Sequence, residues 1–309
     1  MSETTVIFGN GTIGHLVTER LIARGDAVRI AQRNRPTNLP KGADYVRCDI
    51  LDAADVRRAV EGASRVLLAV GFTYDSRIWR TVWPKTIKNI VEACAAVGAK
   101  VVFIDNLYQL GPQTKPRTED MPLTSQGEKP KILADVTRTW MAAKNRVRFA
   151  ALRCTDFYGP GVTVSHLGAQ AFGELAKGNS AQMVVPLDIP HDFAYVPDIA
   201  RAAVTLLDAP DDAYGQVWNM PCAPTCTPRE ILQLGADAVG TKLKIFAIPF
   251  WLLPLVGLFV RFFKEVVDVG FTWDKPYVVD GTKFKNRFWS NVTPFEVGAA
   301  ETAKSFVAR

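Results

Sequence analysis

The stretch TTVIFGNGTIGHLVTERLIARGDAVRI, residues 4–30, limits the fold more than any other part of the chain. An apolar, β-branched run, Thr5–Phe8, stops at glycines; Ile13, Leu16, Val17, Leu21 and Ile22 then mark one face of a helix that Gly25 ends. A second apolar strand follows over Ala27–Ala31. Gly9, Gly11 and Gly14 stand at the strand-to-helix turn in the pattern Gly-x-Gly-x-x-Gly. Such a turn uses glycine for tightness, for close approach of a pyrophosphate to the backbone, and for packing the helix on the strand. The helix N-terminus adds amide donors and the positive end of a dipole. The expected dinucleotide contacts here are Gly9, Asn10, Gly11, Thr12, Ile13 and Gly14.

The alternation continues. Asp44–Arg47 leads into CDILDAADVRRAV, with a helix after Asp52, and then come SRVLLAVG, WPKTIKNIVEACAAVGA and KVVFIDN. The strands are short continuous apolar runs, as expected of parallel strands covered on both faces. No internal repeat or low-complexity linker interrupts them. The pattern predicts an α/β fold with a doubly wound, parallel, Rossmann-like sheet. Ala69, Val70 and Gly71, closing the fourth strand, are expected along the cofactor edge.

The end of the second strand selects the cofactor. A carboxylate there would hold the ribose hydroxyls of NAD(H), whereas an arginine accommodates the 2′-phosphate of NADP(H). The segment reads Gln32-Arg33-Asn34-Arg35, without a carboxylate, and Arg33 lies about twenty residues past the glycines, as the fingerprint requires. NADP(H) is therefore expected ahead of NAD(H), with Arg33 on the phosphate.

Composition narrows the class. The net charge is +6, and its lysines and arginines are scattered without a basic run, which argues against a nucleic-acid partner and for solvated surface. The N-terminus enters an apolar strand at once, so no signal peptide is expected. Cys48, Cys94, Cys154, Cys222 and Cys226 are odd in number and lack framework spacing, which suits a reducing cytoplasm. Cys222 and Cys226 lie four apart in CAPTC; small buried thiols in a loop are expected there, with a redox or metal pair as the alternative. Ile245–Val260, IFAIPFWLLPLVGLFV, is apolar throughout but shorter than the ~20 residues that span a bilayer, and contains Pro249 and Pro254. It is expected to form a buried helical segment or the wall of an apolar substrate pocket, without stable membrane insertion. Peripheral membrane contact is the alternative, because VRFFK follows.

Beyond the glycine turn, several segments resemble the extended short-chain dehydrogenase/reductases, in the broad NAD-dependent epimerase/dehydratase group. These are FIDNLYQLGP at 103–112, LRCTDFYGPG at 152–161, DFAYVPDIARAAVTLLD at 192–208 and GQVWNMP at 215–221. The resemblance covers nearly the whole chain, and YGPG and YVPDIARA are its specific parts. It implies that residues 1–155 form a dinucleotide-binding domain to which 191–208 return, and that 156–309 mainly close over a small-molecule substrate. It further implies Asp49 and Ile50 at the adenine edge, Phe157 beside the cofactor, and compatibility with a homodimer.

The departures from that family pattern concern chemistry. Phe8 replaces the first glycine of the usual spaced turn. Alignment on Gly111 puts Asn106 at the usual catalytic serine or threonine. Alignment on Lys131 and Asp135 puts Gly127 at the catalytic tyrosine, leaving Lys131 alone of the triad. In the family the tyrosine moves a proton at the substrate oxygen while hydride moves at nicotinamide, and the lysine binds ribose. Three solutions follow. Another phenol takes over, Tyr108 with Asn106 nearby; Lys131 itself polarises the carbonyl; or the protein binds NADP(H) as a non-catalytic redox sensor. Phe72, Tyr74, Trp79 and Trp83, after the fourth strand, lean toward an apolar substrate, although the Trp79–Trp83 spacing equally suits core packing. The expected activity is an NADP(H)-dependent oxidoreductase on a small hydrophobic carbonyl or enone, with an epimerase or dehydratase as the alternative enzyme.

Overall fold

The computed structural model describes residues 4–307. Met1–Glu3, on which the expectation of no signal peptide partly rests, lie outside them, as do Ala308 and Arg309. The chain divides into two compact units, the first made of 1–109, 123–153 and 199–218 and the second of 110–122, 154–198 and 219–309.

The first unit begins β1 (Thr4–Phe8), α1 (Thr12–Ala23), β2 (Ala27–Gln32), β3 (Asp44–Arg47), α2 (Ala53–Val60) and β4 (Ala63–Leu68). It continues α3 (Ser76–Val97), β5 (Lys100–Asp105), α4 (Glu128–Ala142) and β6 (Phe149–Arg153). After β7 (Asp156–Tyr158), α5 (Glu174–Ala176), β8 (Ala181–Met183) and β9 (Phe193–Tyr195) in the second unit, α6 (Val196–Leu207) leads back to β10 (Val217–Asn219). Seven strands form the central sheet in the order β10-β6-β5-β4-β1-β2-β3. The pairs β1–β2, β1–β4, β2–β3, β4–β5 and β5–β6 are all parallel. The sheet is the doubly wound Rossmann-like one expected, and its chain order reverses between β1 and β4, the switch point where such sheets bind ligands. Burial explains the apolar runs: Val6, Ile7, Val66, Leu67, Val101 and Val102 are wholly buried.

α3 is amphipathic and capped by Asp75, whose carboxylate accepts from the Arg77 N–H at 2.8 Å. It sends Trp79 and Trp83 into the core, 6% and 5% exposed. Phe72 meets Trp83 edge-on at 5.0 Å, and Trp83 packs on Phe103 at 5.6 Å. These rings are core; the apolar-substrate reading of Trp79 and Trp83 gives way to packing.

The return to the first unit runs later than 191–208. β9 pairs with β7, which holds Phe193–Tyr195 in the second unit. The first unit regains the chain from Ile199 to Trp218, so as to include the seventh strand. Arg65, nearly buried on β4, bonds Asp208 just past α6 at 2.7 Å. Residues 110–122 also cross over. Arg117 donates its N–H to the Val278 carbonyl at 2.9 Å, and Asn219 Nδ2 donates to the Arg117 carbonyl at 2.9 Å.

The second unit adds α7 (Pro228–Ala238), β11 (Ile245–Ala247), α8 (Leu253–Val256), α9 (Arg261–Val267), α10 (Thr282–Arg287) and α11 (Phe295–Val307). α7 opens with a capping box between Thr227 and Glu230. Phe172, Tyr158, Trp273 and Phe295 fill the core of this unit. His191 is buried between the rings of Trp273, 3.8 Å away, and Tyr277, 4.7 Å away, while its Nε2 lies 3.0 Å from Asp156 Oδ2. The Arg117 guanidinium lies over the Tyr277 ring at 3.6 Å.

The apolar stretch 245–260 departs from the buried helical segment that was one expectation for it. It forms no buried helix. β11 joins β8, Phe250–Leu252 make one 3-10 turn, and α8 spans four residues, an interruption that Pro249 and Pro254 impose. Leu253 is buried, but Trp251, Leu258 and Phe259 are 71%, 76% and 90% exposed. Among the described residues no helix is long and apolar enough to cross a membrane.

Candidate functional site

The three glycines of the first turn have different tasks. Gly9 has φ +98°, open to glycine, and a Cβ there would stand 2.7 Å from the Ala69 carbonyl oxygen. A Cβ on Gly14 would fall 2.0 Å from the Gly9 carbonyl oxygen. Those two are consumed by packing. Gly11 has nothing within 4 Å of its would-be Cβ, so its backbone is open to close approach. Gly11 is also the N-cap of α1, without a side-chain cap, and the first turn of that helix, Thr12, Ile13 and Gly14, carries no acid. This open cradle at a helix N-terminus fits a pyrophosphate. The Asn10 N–H donates to Gln32 Oε1 at 3.1 Å, tying the turn to the end of β2.

At that end the Tyr45 hydroxyl donates to the carbonyls of Gln32 and Arg33 at 3.2 and 3.3 Å. Arg33 is exposed, and no acidic partner faces it among the described residues. After β3, Asp49 Oδ1 accepts from the Leu51 N–H at 3.0 Å and so shapes its own turn, while Asn89 Nδ2 donates to the Ile50 carbonyl at 3.0 Å. After β4, the Ala69 N–H donates to the Phe8 carbonyl at 3.0 Å; Val70 packs on the core and Gly71 is exposed. The glycine turn, Arg33, Asp49–Ile50 and Ala69–Gly71 therefore follow the C-terminal ends of β1, β2, β3 and β4. Phe157 is not among them: it lies half-buried on β7 in the second unit.

Past β5, Asn106 Oδ1 accepts from the Tyr108 N–H at 2.9 Å, which fixes the 3-10 turn Tyr108–Leu110. Tyr108 is half-buried against the core of the first unit. Sequence reading missed Asp105 beside them. Its carboxyl is fully buried, with Gln109 Nε2 donating to Oδ2 at 2.6 Å and Arg153 Nε 3.7 Å away. Burial pushes it up to about 6, against the pull of Arg153 and the hydrogen bonds.

α4 places its two lysines differently. Lys131 is exposed, on the same face as Asp135 and Arg138, which pair at 2.7 Å. Lys129 is the buried lysine, completely enclosed in company with Ile132, Leu133, Val136 and Trp140. The reason is helical geometry: 129, 132, 133, 136 and 140 share one face at spacings of three and four, whereas 131 and 135 share another. That stripe was the available signal. Lys129 Nζ lies 4.0 Å from the ring centroid of Tyr74 and 5.6 Å from that of Trp79. The loop carrying Tyr74 is held by the Trp79 indole, which donates to the Thr73 carbonyl at 2.9 Å.

Four residues before Lys129 stands Ser125, which is exposed. Gly127 has another explanation. It is the N-cap of α4 with φ +79° and ψ 153°, a conformation essentially reserved for glycine. The remaining phenols of the sequence pattern are structural: Tyr158 is buried against Tyr195 and Phe295, and the Tyr195 hydroxyl bonds Glu301. Burial drives both phenols far above their ordinary range.

Comparison with known proteins agrees with the fold. An uncharacterized protein of Mycobacterium tuberculosis is 30% identical over 139 residues, 44% of this chain, and the match spans 14% of that relative's length. A dTDP-6-deoxy-L-talose 4-dehydrogenase (NAD(P)(+)) of Kitasatospora kifunensis is 24% identical over 266 residues, covering 80% of this chain and 82% of that protein. The crystal structure of Thermus thermophilus UDP-glucose 4-epimerase with NAD has a TM-score of 0.79 at 21% identity, covering 98% of each chain, and shows the same fold. Residues 5–220, from the first strand through the glycine turn, α4 and the YGPG segment to the seventh strand, match the NAD dependent epimerase/dehydratase family, and to that family the chain belongs.

Proposed function

We propose that the protein is an NADP(H)-dependent oxidoreductase that interconverts a carbonyl and a secondary alcohol with a lysine–phenol pair other than the family's usual one. The observation that carries this reading is the buried Lys129 ammonium against the Tyr74 ring, at the only face of α4 that turns inward. Burying a charge is costly, and the rings of Tyr74 and Trp79 face this ammonium in its enclosure. Bound NADP(H) would supply hydride transfer at nicotinamide. The chain's part is to hold it, with the open backbone at Gly11 for pyrophosphate, Arg33 for the 2′-phosphate and the exposed Lys131 for the ribose hydroxyls, while Lys129 Nζ polarises the adjacent Tyr74 phenol. Tyr74 is the phenol in contact with that ammonium and is proposed to move the proton at the substrate oxygen. Tyr108, the other half-buried phenol past a strand end, is the second candidate.

The substrate is left as a hydroxyl or carbonyl compound without an apolar restriction. Trp79 and Trp83, among the rings that suggested one, are packed in the core, and half of the large side chains of 245–260 are exposed. The resemblance to a dehydrogenase of a nucleotide-linked deoxysugar supports testing polar substrates beside ketones, enones and quinones. The family match favours a second reading, an epimerase or dehydratase in which reduction is transient and cofactor is not consumed.

The test is NADPH oxidation against such a panel, with Lys129→Met, Tyr74→Phe and Tyr108→Phe alongside. Turnover should fall by about 10²–10⁴ in Tyr74→Phe while NADPH binding persists. A full rate in Tyr74→Phe with loss in Tyr108→Phe transfers the role to Tyr108. Arg33→Ala should weaken NADPH by about 10–100-fold and leave NADH unchanged; equal effects on both cofactors remove the NADP(H) assignment. Product formation with no net NADPH oxidation favours the epimerase or dehydratase.

A further inference from the structure

We propose that the segment 245–267 of the second unit is a docking surface for an anionic phospholipid membrane, on which the protein lies without crossing. This does not rest on the reaction proposed above. Of the thirteen exposed large hydrophobic residues among those described, eight fall within this short segment: Phe246, Trp251, Leu255, Leu258, Phe259, Val260, Phe262 and Val267. An exposed apolar concentration of this kind marks an interaction surface.

The segment is folded outward, not loosely packed. β11 fixes one end on β8, Leu253 is wholly buried as an anchor, and the Phe250 ring would touch a Cβ on Gly270 at 3.1 Å. At the other end Glu265 and Val266 are buried, and Glu265 accepts from Arg261 at 2.8 Å. Gly257 brings the α8 turn against α9, since a Cβ there would stand 2.9 Å from the Lys264 nitrogen. Between these elements lies a cleft of about 450 Å³ walled by Leu258, Phe259 and Val267 and flanked by Arg261 and Lys264.

Charge selects the occupant. Between Asp237 and Glu265 the chain has no acidic residue but carries Lys242, Lys244, Arg261 and Lys264, two before the apolar run and two after it. Lys242, Lys244 and Lys264 are exposed, and Lys264 has no acidic partner among the described residues. Aromatic and aliphatic side chains bracketed by lysines match the boundary between acyl chains and anionic headgroups. A second copy of this chain would bring the same cations against themselves.

The experiment is flotation of the full chain with vesicles of phosphatidylcholine alone and of phosphatidylcholine with phosphatidylglycerol, together with sedimentation equilibrium without lipid. The wild type should float with the anionic vesicles. The pair Leu258→Asn and Phe259→Ser, both at exposed positions, should abolish flotation with an unchanged thermal melt. Lys244→Glu with Lys264→Glu should weaken it at least about tenfold. Equal flotation with both vesicle types overturns the electrostatic assignment. No flotation overturns the proposal; a dimer that the Phe259→Ser pair dissolves then assigns the surface to a second copy.

Discussion

Two stretches rich in aromatic residues, 72–83 in the first unit and 245–260 in the second, are used in opposite ways. In the first, Asp75 starts a helix of 22 residues that absorbs Pro84 and turns Trp79 and Trp83 inward. In the second, Pro249 and Pro254 leave only a short strand, a 3-10 turn and a helix of four residues, and half of the large side chains face outward. The difference lies in the backbone. A capped helix has a continuous face to bury; a run broken every few residues has none to offer a core.

The comparison can be broken by mutation. The largest effect is expected from Trp83→Ala, which should cost about 3–5 kcal/mol in urea unfolding because it empties a site closed by Phe72, Trp79 and Phe103. A loss below about 1 kcal/mol, the size of an ordinary surface change, would mean that the first run is not core.

A second measurement asks how dry that interior is. Asp105 is raised to about 6 by burial, so the folded state holds its proton more tightly than the unfolded chain does. Its contribution favours folding below its unfolded value of about 4 and declines as pH rises through 6, by roughly 2–3 kcal/mol in all. Asp105→Asn should remove that decline, seen as the difference in stability slope between the two proteins from pH 4 to 7. Parallel slopes would show that water reaches the carboxylate.

Backbone conformation is sharpened by Gly127→Ala, expected to cost about 1–3 kcal/mol although the position is exposed. The smallest effect belongs to the second run: Phe259→Ser should change stability by no more than about 0.5 kcal/mol. A cost like that of Trp83 would show that Phe259 has a packing partner.

Much of the first unit was legible in local pattern. Parallel strands buried on both faces leave continuous apolar runs, and Asp44–Arg47 is observed where the sequence placed it. The glycine turn was legible because two of its three glycines are required by contacts only a few ångströms away. The lysine was not. Family spacing pointed to Lys131, and only the register of the apolar stripe, set by the start of α4 at Gly127, separates it from Lys129. Residues 110–122 were also misplaced, because their hydrogen bonds run to Val278 and Asn219, more than a hundred residues on. Asp105 escaped because its burial depends on Arg153 of the neighbouring strand.

The late arrival of β10 bears on how the protein is made. β6 is buried along its whole length and apolar up to Arg153, and the strand that covers its outer edge is not complete until residue 219. A ribosome will have finished β1 to β6 and a large part of the second unit while that edge is still bare. An uncovered apolar edge is a template for pairing with other chains. Nascent or truncated chains that stop before Val217 should therefore aggregate even though their dinucleotide-binding turn is intact, and expression of this protein should depend on chaperones that occupy the edge during those final residues.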